Sequence, residues 1–436
     1  MRTNWARTVR FSPAAFRQPL SIPQVQEILD QPGKVRVVGA GHSFTPVAAT
    51  DGTLINLDRL SGLVRVDSAS HRARFLGGTR LRDIPTLLAP YGLALPNQGD
   101  VNPQSIAGAI STGTHGTGLG FTGFSGMVTG VSVLGADGRL RTVDDTDPDM
   151  GFHRLHLGLL GIIVEVELQC VPAFDLIAQE ESLAWDDAVE TIIDRAEKHD
   201  HVEFYWFPHT SAVLLKTNTR VPLGESTPEE LATIGPRNRL EHVLTEEVLD
   251  NGALWLACEI GSRFPSAVPA INRAATRLAS GRSYRAPAHE VFVSPRRVRF
   301  REMEYGVPLE EGPRVLRNIR SLIDRSGWRV SFPLEVRISA GDDVPLSTAY
   351  GRPTMYIAVH RYIADPYRDY FAGVEEIVAG AGGRPHWGKL HRLSYRDLAS
   401  RYDRFDEFAD AVREADPQRR FTNPYLDRLL SDNSQA

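Results

Sequence analysis

Cysteine is nearly absent: of 436 residues only Cys170 and Cys258 carry a thiol. Two thiols cannot build a disulfide framework or a cysteine-based metal site, and such usage suits a reducing, cytoplasmic setting. No apolar run reaches the roughly 18 residues that a membrane span needs. The opening residues, MRTNWARTVRFSPAAF, also contain no apolar targeting core. No transmembrane segment is therefore expected. An excess of one charge is missing too. With 49 basic and 54 acidic residues the net charge is −5, which provides no basic surface for nucleic acid. The 13 histidines form no HExxH pair or other zinc spacing, so no metal is expected. Internal repeats and low-complexity tracts are lacking. What remains is an ordinary globular composition, 42% hydrophobic and 24% charged. The chain is longer than one hydrophobic core usually organises, so two domains are expected.

Residues 35–38, VRVV, are rich in β-branched types and read as a buried strand. The strand runs into Gly39-Ala40-Gly41, a turn lean enough for a ligand's phosphates to touch backbone N–H groups, and His42 follows. The pattern approaches the dinucleotide loop GxGxxG. Its sixth position, however, is Phe44, where a third glycine would let a helix pack closely on the sheet. A nicotinamide loop is thereby disfavoured; an ordinary strand-to-loop turn also fits this piece taken alone. A second lean stretch, residues 95–118, holds Gly99, Gly108, Gly113, Gly116 and Gly118 among small side chains. An extended ligand could lie along it, with hydroxyls from Ser105, Thr112 and Thr114. Ile106, Ile110 and the Pro103-Gln104 turn make it a poor flexible linker.

In chain order, residues 21–30 read as a short helix with Ser21 as N-cap and Pro23 in its first turn. Short strands follow at 54–57 and 64–66. Residues 128–134 and 140–143 form a hairpin around Asp137-Gly138. A strand with alternating Ile163, Glu165 and Glu167 leads to a domain boundary near Ala173. Beyond it, a helix is expected at 185–198, a strand at 202–207 and a polar surface excursion at 216–250. Strands at 254–260, 291–293, 334–338 and 355–362 alternate with helices at 266–280, 311–326 and 367–380. This mixture predicts an antiparallel sheet covered on one face, followed by short helices after His386. Glu335 and Arg337, two apart on one strand, share a face. A surface ion pair and a pocket pair both fit that spacing.

Four stretches, in order, resemble one family. VRVVGAGHSFT resembles the first phosphate-binding loop of the vanillyl-alcohol-oxidase-like FAD flavoenzymes, in the branch of sugar-lactone and alditol oxidoreductases, and SIAGAISTGTHGTG resembles their second. Glu335-Val336-Arg337 is similar to the branch's ExR strand, and Arg384-Pro385-His386-Trp387-Gly388-Lys389 to its HWxK motif. The resemblance implies an α+β, two-domain fold of the PCMH type. An FAD-binding domain would span residues 1–173, completed by 386–436. An α+β cap domain, 174–385, would cover the flavin and form the substrate pocket. The residues implied to hold FAD are Val38, Gly39, Ala40, Gly41, His42, Ser43, Gly99, Asp100, Ser105, Gly108, Thr112, Gly113, Thr114, His115 and Ile163. His42 occupies the position at which many members link the flavin covalently. A neutral imidazole is a good nucleophile towards the flavin's 8α-methyl carbon, and the linkage raises the reduction potential.

The resemblance also implies catalytic roles. Lys389 would be the general base, its pKa lowered by burial and by the nearby Arg337 charge. Arg337 would stabilise negative charge developing on the substrate oxygen, and Glu335 would orient a neighbouring hydroxyl. Asp100 stands where alditol oxidases carry serine, and His360 near a position where they carry threonine. With NQGD, MEYGVP, AYGRPT and VHRY, the chain looks more like the actinobacterial gulono-lactone dehydrogenases and aldono-lactone oxidases. Asp100 would receive substrate hydroxyls and His360 would bond the lactone carbonyl. The expected substrate is thus a small polyhydroxylated molecule, an aldono-1,4-lactone oxidised at the hydroxyl carbon next to its carbonyl. An open-chain alditol oxidised at its terminal carbon is the alternative. The electron acceptor would be O2 or a cytochrome- or quinone-type partner, and Gly99, at the expected oxygen gate beside the flavin edge, favours O2.

Overall fold

Strand alternation sorts the second half of the chain into two faces. In the computed structural model, which describes residues 1–223, 251–278, 281–294 and 296–431, eight strands form one antiparallel sheet. Their order is Arg282–Pro287, Phe174–Ala184, Ala212–Pro222, His201–Trp206, Leu334–Ser339, Thr354–Tyr362, Phe300–Pro308 and Arg384–Pro385. Successive side chains on a strand point to opposite faces. Cross-strand register therefore aligns Phe204, Val336, Ile357 and Tyr305 on one side. Glu203, Tyr205, Glu335, Arg337, His360, Glu302 and Glu304 fall on the other. The apolar side is covered by the helices Trp185–Lys198, Gly312–Ser326 and Arg368–Gly380, which contribute Trp185, Ile192, Ile319, Ile323, Phe371 and Val374 to a shared core. The result is an antiparallel sheet with helices on one face and ionisable residues on the other.

Besides two two-stranded pairings, the first half carries a three-stranded and a five-stranded sheet. Ala15–Arg17, Thr53–Ile55 and Val35–Val37 form a parallel three-stranded sheet. Beside them, Ser21 caps the helix Ile22–Leu29 by accepting the Gln24 N–H at 3.4 Å. Five antiparallel strands run in the order Leu140–Asp144, Val128–Leu134, Ile162–Gln169, Arg72–Leu76 and Leu63–Asp67. The hairpin turns through Gly138 at φ +74°. The helix Ile106–Ser111 packs Ile106, Ala109 and Ile110 into that sheet's core.

The C-terminal segment is stitched beneath the first glycine loop. The Val35 N–H donates to Arg420 O at 2.8 Å, and Arg36 donates to Phe421 O and, at 2.7 Å, to Leu157 O. Asn423 Nδ2 donates to Pro46 O at 3.0 Å and Ala49 O at 2.9 Å. Residues near 420 thereby fix the strand that leads into the 39–41 turn. Among the described residues, no helix is long and apolar enough to cross a membrane.

Three sequence expectations are corrected. Residues 254–260 lie inside the helix Asn251–Arg263. Leu254, Cys258 and Gly261 recur there at helical spacing, with Cys258 and Gly261 buried; a short apolar run does not by itself distinguish strand from helix. Residues 291–292 close the helix Ala288–Phe292, so no strand forms at 291–293. Residues 216–222, expected as part of a surface excursion, complete a strand paired along its length with Phe174–Ala184. Their polar groups find partners inside: the Lys216 ammonium donates to Val291 O at 3.0 Å. The rest of that expected excursion, residues 224–250, lies outside the described residues.

Three buried histidines set an acid limit. Burial, the largest cause in each case, pushes His156 down to about 3, and His201 and His391 down to about 4. His201 is also held as one neutral tautomer: Nδ1 donates to Thr117 O at 2.6 Å, and Nε2 accepts from Arg220 at 3.2 Å. Between about pH 6.5 and 4 the unfolded chain binds protons that these folded sites refuse. Stability should therefore fall on acidification, by about 1.4 kcal/mol per pH unit for each group in that window. Urea unfolding at pH 7, 6 and 5 reads this directly, with the midpoint expected to drop at each step.

Candidate active site

Two cavities meet at His42. The larger, enclosing about 1160 Å³ of space with open solvent included, is lined by Val38, Gly39, Ala40, Gly41, His42, Ser43, Ser105, Gly108, Thr112 and Ile163, among others. The second is lined by His42, Ser43, Gly99, Asp100, Thr112, Thr114, His115, Arg337 and Lys389, with Arg296, Phe300, Glu302, Glu304 and His386. His42, Ser43, Gln104 and Thr112 line both, which makes them one cleft. Of the residues expected to hold the cofactor, Gly113 alone lines neither cavity. A side chain there would press on Leu155 at 3.1 Å, away from the cleft.

The first cavity suits FAD by its local chemistry. A Cβ on Gly39 would come within 2.5 Å of Ser105 Oγ, so only glycine lets the two lean stretches touch. Ser105 in turn caps the helix Ile106–Ser111, accepting the Gly108 N–H at 3.3 Å. At the junction His42 stacks on Trp5, with ring centroids 5.3 Å apart and an interplanar angle of 19°. Burial, then the Lys389 charge, pushes its pKa down to about 4, so the ring is a neutral nucleophile at neutral pH. Phe44, which broke the GxGxxG pattern, belongs to the aromatic wall of the second cavity with Phe300, at 5.6 Å between ring centroids.

The second cavity is built on the ionisable face of the large sheet. Arg337 donates to Glu203 at 2.8 Å, pairs with Glu335 at 2.5 Å and lies 3.6 Å from Asp100. Arg296 reaches across from the segment before the Phe300–Pro308 strand. Its Nε donates to Asp100 at 2.9 Å, and its Nη2 lies 3.7 Å from Glu335. Two arginines and two carboxylates thus close a ring of alternating charge. Burial by itself would raise the Asp100 pKa, but Arg296 and Arg337 outweigh it and hold the group well below the usual carboxylate range. Burial raises Glu335 against the pull of Arg337.

Lys389 is placed by the neighbouring backbone. The His386 N–H donates to Glu304 O, and the Leu390 N–H to Glu302 O, both at 3.0 Å. Residues 386–390 therefore run beside the Phe300–Pro308 strand and set the Lys389 ammonium against the Glu302 carboxylate, with Glu304 at 3.8 Å. The lowered pKa expected for Lys389 is not found. Burial does favour its neutral form, but Glu302 and Glu304 outweigh burial, and the net shift is upward. The two carboxylates thus favour the ammonium form of Lys389.

Two expected substrate contacts also differ. His360 is buried and lines neither cavity. Its Nδ1 donates to Pro333 O at 2.9 Å, and its Nε2 lies 3.5 Å from Glu302, which lines the cavity instead. Glu335 likewise braces Arg337 and Arg296 from behind the lining. Asp100 does line the cavity, with its carboxylate engaged by arginines.

Several groups escaped the sequence reading. Glu302 and Glu304, alternating about Met303, carry the same same-face signal that picked out Glu335 and Arg337. His386 belongs to the HWxK stretch, which by itself gives it no role. Arg296 had no local signal, being one of several arginines near 300. His115, Glu304 and His386 bring ligand-type atoms within 4.8 Å of one another. Protons account for this cluster. His115 Nδ1 must donate to Gly116 O at 2.9 Å, so its close contact with Glu304 through Nε2 holds a second proton. His386 Nδ1 accepts the Gly388 N–H at 3.0 Å, which leaves its proton on Nε2. In these tautomers neither imidazole offers the cluster a free lone pair for a metal.

A glycine-lined cofactor cleft, with a neutral histidine where it opens into a charged substrate cavity, defines an FAD-dependent oxidoreductase. Residues 13–144 match an FAD binding domain, and residues 166–429 match the family described as D-arabinono-1,4-lactone oxidase. The chain belongs to that family. It is 38% identical to the L-gulono-1,4-lactone dehydrogenase of Mycobacterium tuberculosis, with 98% of each chain covered. To the L-gulonolactone oxidase of Bos taurus it is 30% identical, covering 98% of this chain and 97% of the other. The crystal structure of cholesterol oxidase from B. sterolicum superposes with a TM-score of 0.82 at 16% identity, covering 98% of this chain and 96% of that one. That likeness shows the α+β, PCMH-type fold.

Proposed function

We propose that this enzyme oxidises an aldono-1,4-lactone of the L-gulono-1,4-lactone type at the hydroxyl carbon next to the carbonyl. The observation that carries the reading is the pairing of charge around the second cavity. Arg296 and Arg337 are balanced by Asp100 and Glu335, Lys389 by Glu302, and the shared proton of His115 by Glu304. Such a site suits a neutral molecule rich in hydroxyls and disfavours an added carboxylate. The names of the relatives agree with a lactone.

Bound FAD supplies the two-electron acceptor that takes hydride from the carbinol carbon. Lys389 and Arg337 act at the substrate oxygen. Arg337, its fork fixed by Glu203 and Glu335, stabilises charge that develops there, and Lys389 handles the hydroxyl proton. Glu335 acts through Arg337. In this reading residues 1–173 with 386–436 hold FAD, and 174–385 form the cap. The two cysteines, both buried and unpaired, suit a cytoplasmic setting. Gly99, which lines the second cavity at the expected oxygen gate, favours O2 as acceptor over a cytochrome or quinone.

Steady-state rates with L-gulono-1,4-lactone, its hydrolysed aldonate and xylitol test the reading. The aldonate, which adds an unpaired charge to a buried site, should show kcat/KM at least about 100-fold below the lactone. Xylitol turnover above the lactone would overturn the substrate assignment. Reoxidation of the reduced enzyme by air within seconds would mark an oxidase.

A further inference from the structure

The proposed chemistry needs a proton acceptor, and a charged Lys389 cannot be one unaided. Two carboxylates on the Phe300–Pro308 strand lie near its ammonium, and their distances from it distinguish them. Glu304 is occupied: its Oε1 holds His115 Nε2, whose ring already donates from Nδ1 to Gly116 O. Its other oxygen stands 3.8 Å from Lys389 Nζ. Glu302 Oε1 meets Lys389 Nζ directly and lies 3.5 Å from Nε2 of His360, whose Nδ1 donates to Pro333 O. Both carboxylates are buried and line the cavity. Asp100, the other carboxylate of the lining, is engaged by Arg296 and Arg337.

We infer that Glu302 is the terminal proton acceptor of the reaction and that Lys389 is a relay. As the hydroxyl O–H bond breaks, Lys389 gives one of its own protons to Glu302 Oε1, and the nitrogen lone pair that this frees takes the hydroxyl proton. The electron pair of the carbinol C–H bond leaves as hydride to the flavin. The products are a carbonyl, a reduced flavin, a neutral Glu302 acid and an unchanged Lys389 ammonium, so protons and electrons balance. Glu302 returns its proton through Lys389 once the product has left. Glu304, with His115, positions Lys389 and keeps its charge. This inference rests on the hydroxyl-oxidising reading above.

The test is anaerobic stopped-flow reduction of the FAD-loaded enzyme by L-gulono-1,4-lactone. Glu302→Gln should slow flavin bleaching by at least about 100-fold while the lactone's Kd changes by less than about threefold, and Glu302→Asp should recover much of the rate. In mixtures of light and heavy water, the wild-type rate should plot as a bowed curve, because two protons move together. Wild-type bleaching by Glu302→Gln, or a linear single-proton plot for the wild type, would overturn the relay. Should Glu302→Gln fail to fold, the wild-type plot alone decides. Bleaching by xylitol but not by the lactone would refute the substrate class, and the same comparison made with xylitol would then judge the relay. Bleaching by neither would refute the hydroxyl-oxidising reading and the relay with it.

Discussion

Arg337→Met should lower the rate of flavin reduction at least about 100-fold and cost roughly 3–5 kcal/mol of stability. Both effects follow from one guanidinium. It compensates Glu203 at 2.8 Å, Glu335 at 2.5 Å and Asp100 at 3.6 Å, all buried apart from Asp100, which is nearly so. Its removal leaves Arg296 to serve Asp100 and Glu335, and Lys216, 3.9 Å away, to serve Glu203. Arg337→Lys keeps the charge but loses the fork, so it should retain more stability than activity. The pH dependence distinguishes the causes. In the wild type, Arg337 helps hold Asp100 and Glu203 ionised with lowered pKa values, a contribution present above about pH 4 and lost as the pH falls below it. The stability deficit of Arg337→Met should therefore shrink as the pH falls and the stranded carboxylates take up protons. Thermal unfolding at pH 7 and at about pH 3, below the ordinary carboxylate range, measures this; an equal deficit at both would point to lost packing.

His42→Ala should convert a flavin that stays with the acid-denatured protein into one that is wholly released. His42 stands at the junction of the two cavities, stacked on Trp5 and neutral above about pH 4. Linkage should accordingly proceed equally well at pH 6 and pH 8, since the nucleophilic form dominates at both. The variant should still bind FAD, because the lean loops and the Ser105 cap do not depend on the imidazole, and its flavin should be harder to reduce. Release of all flavin from acid-treated wild type would show that His42 only packs beside the ring.

Local features were legible in the sequence. The strand into the glycine turn, the hairpin at Asp137-Gly138 and the Ser21 cap each depend on a few adjacent residues, and the structure carries all three. The shared face of Glu335 and Arg337 follows from parity alone. Parity could equally have exposed Glu302 and Glu304, but nothing local says which strand lies beside which. Only the register, with Glu302 opposite His360 and Glu304 opposite Ala358, brings them to the site. Arg296 depends on a contact with Asp100 from 196 residues away, and no periodicity encodes that. The upward shift of Lys389 is hidden for the same reason: Arg337 is visible as a motif neighbour, whereas the two carboxylates that outweigh burial are not.

The central claim is that a hydroxyl of a neutral sugar lactone reduces a flavin held in this cleft. Anaerobic titration of the yellow protein with L-gulono-1,4-lactone tests it most directly. Full bleaching of the flavin at one equivalent of lactone is the expected result. A flavin spectrum unchanged by excess lactone would contradict the account.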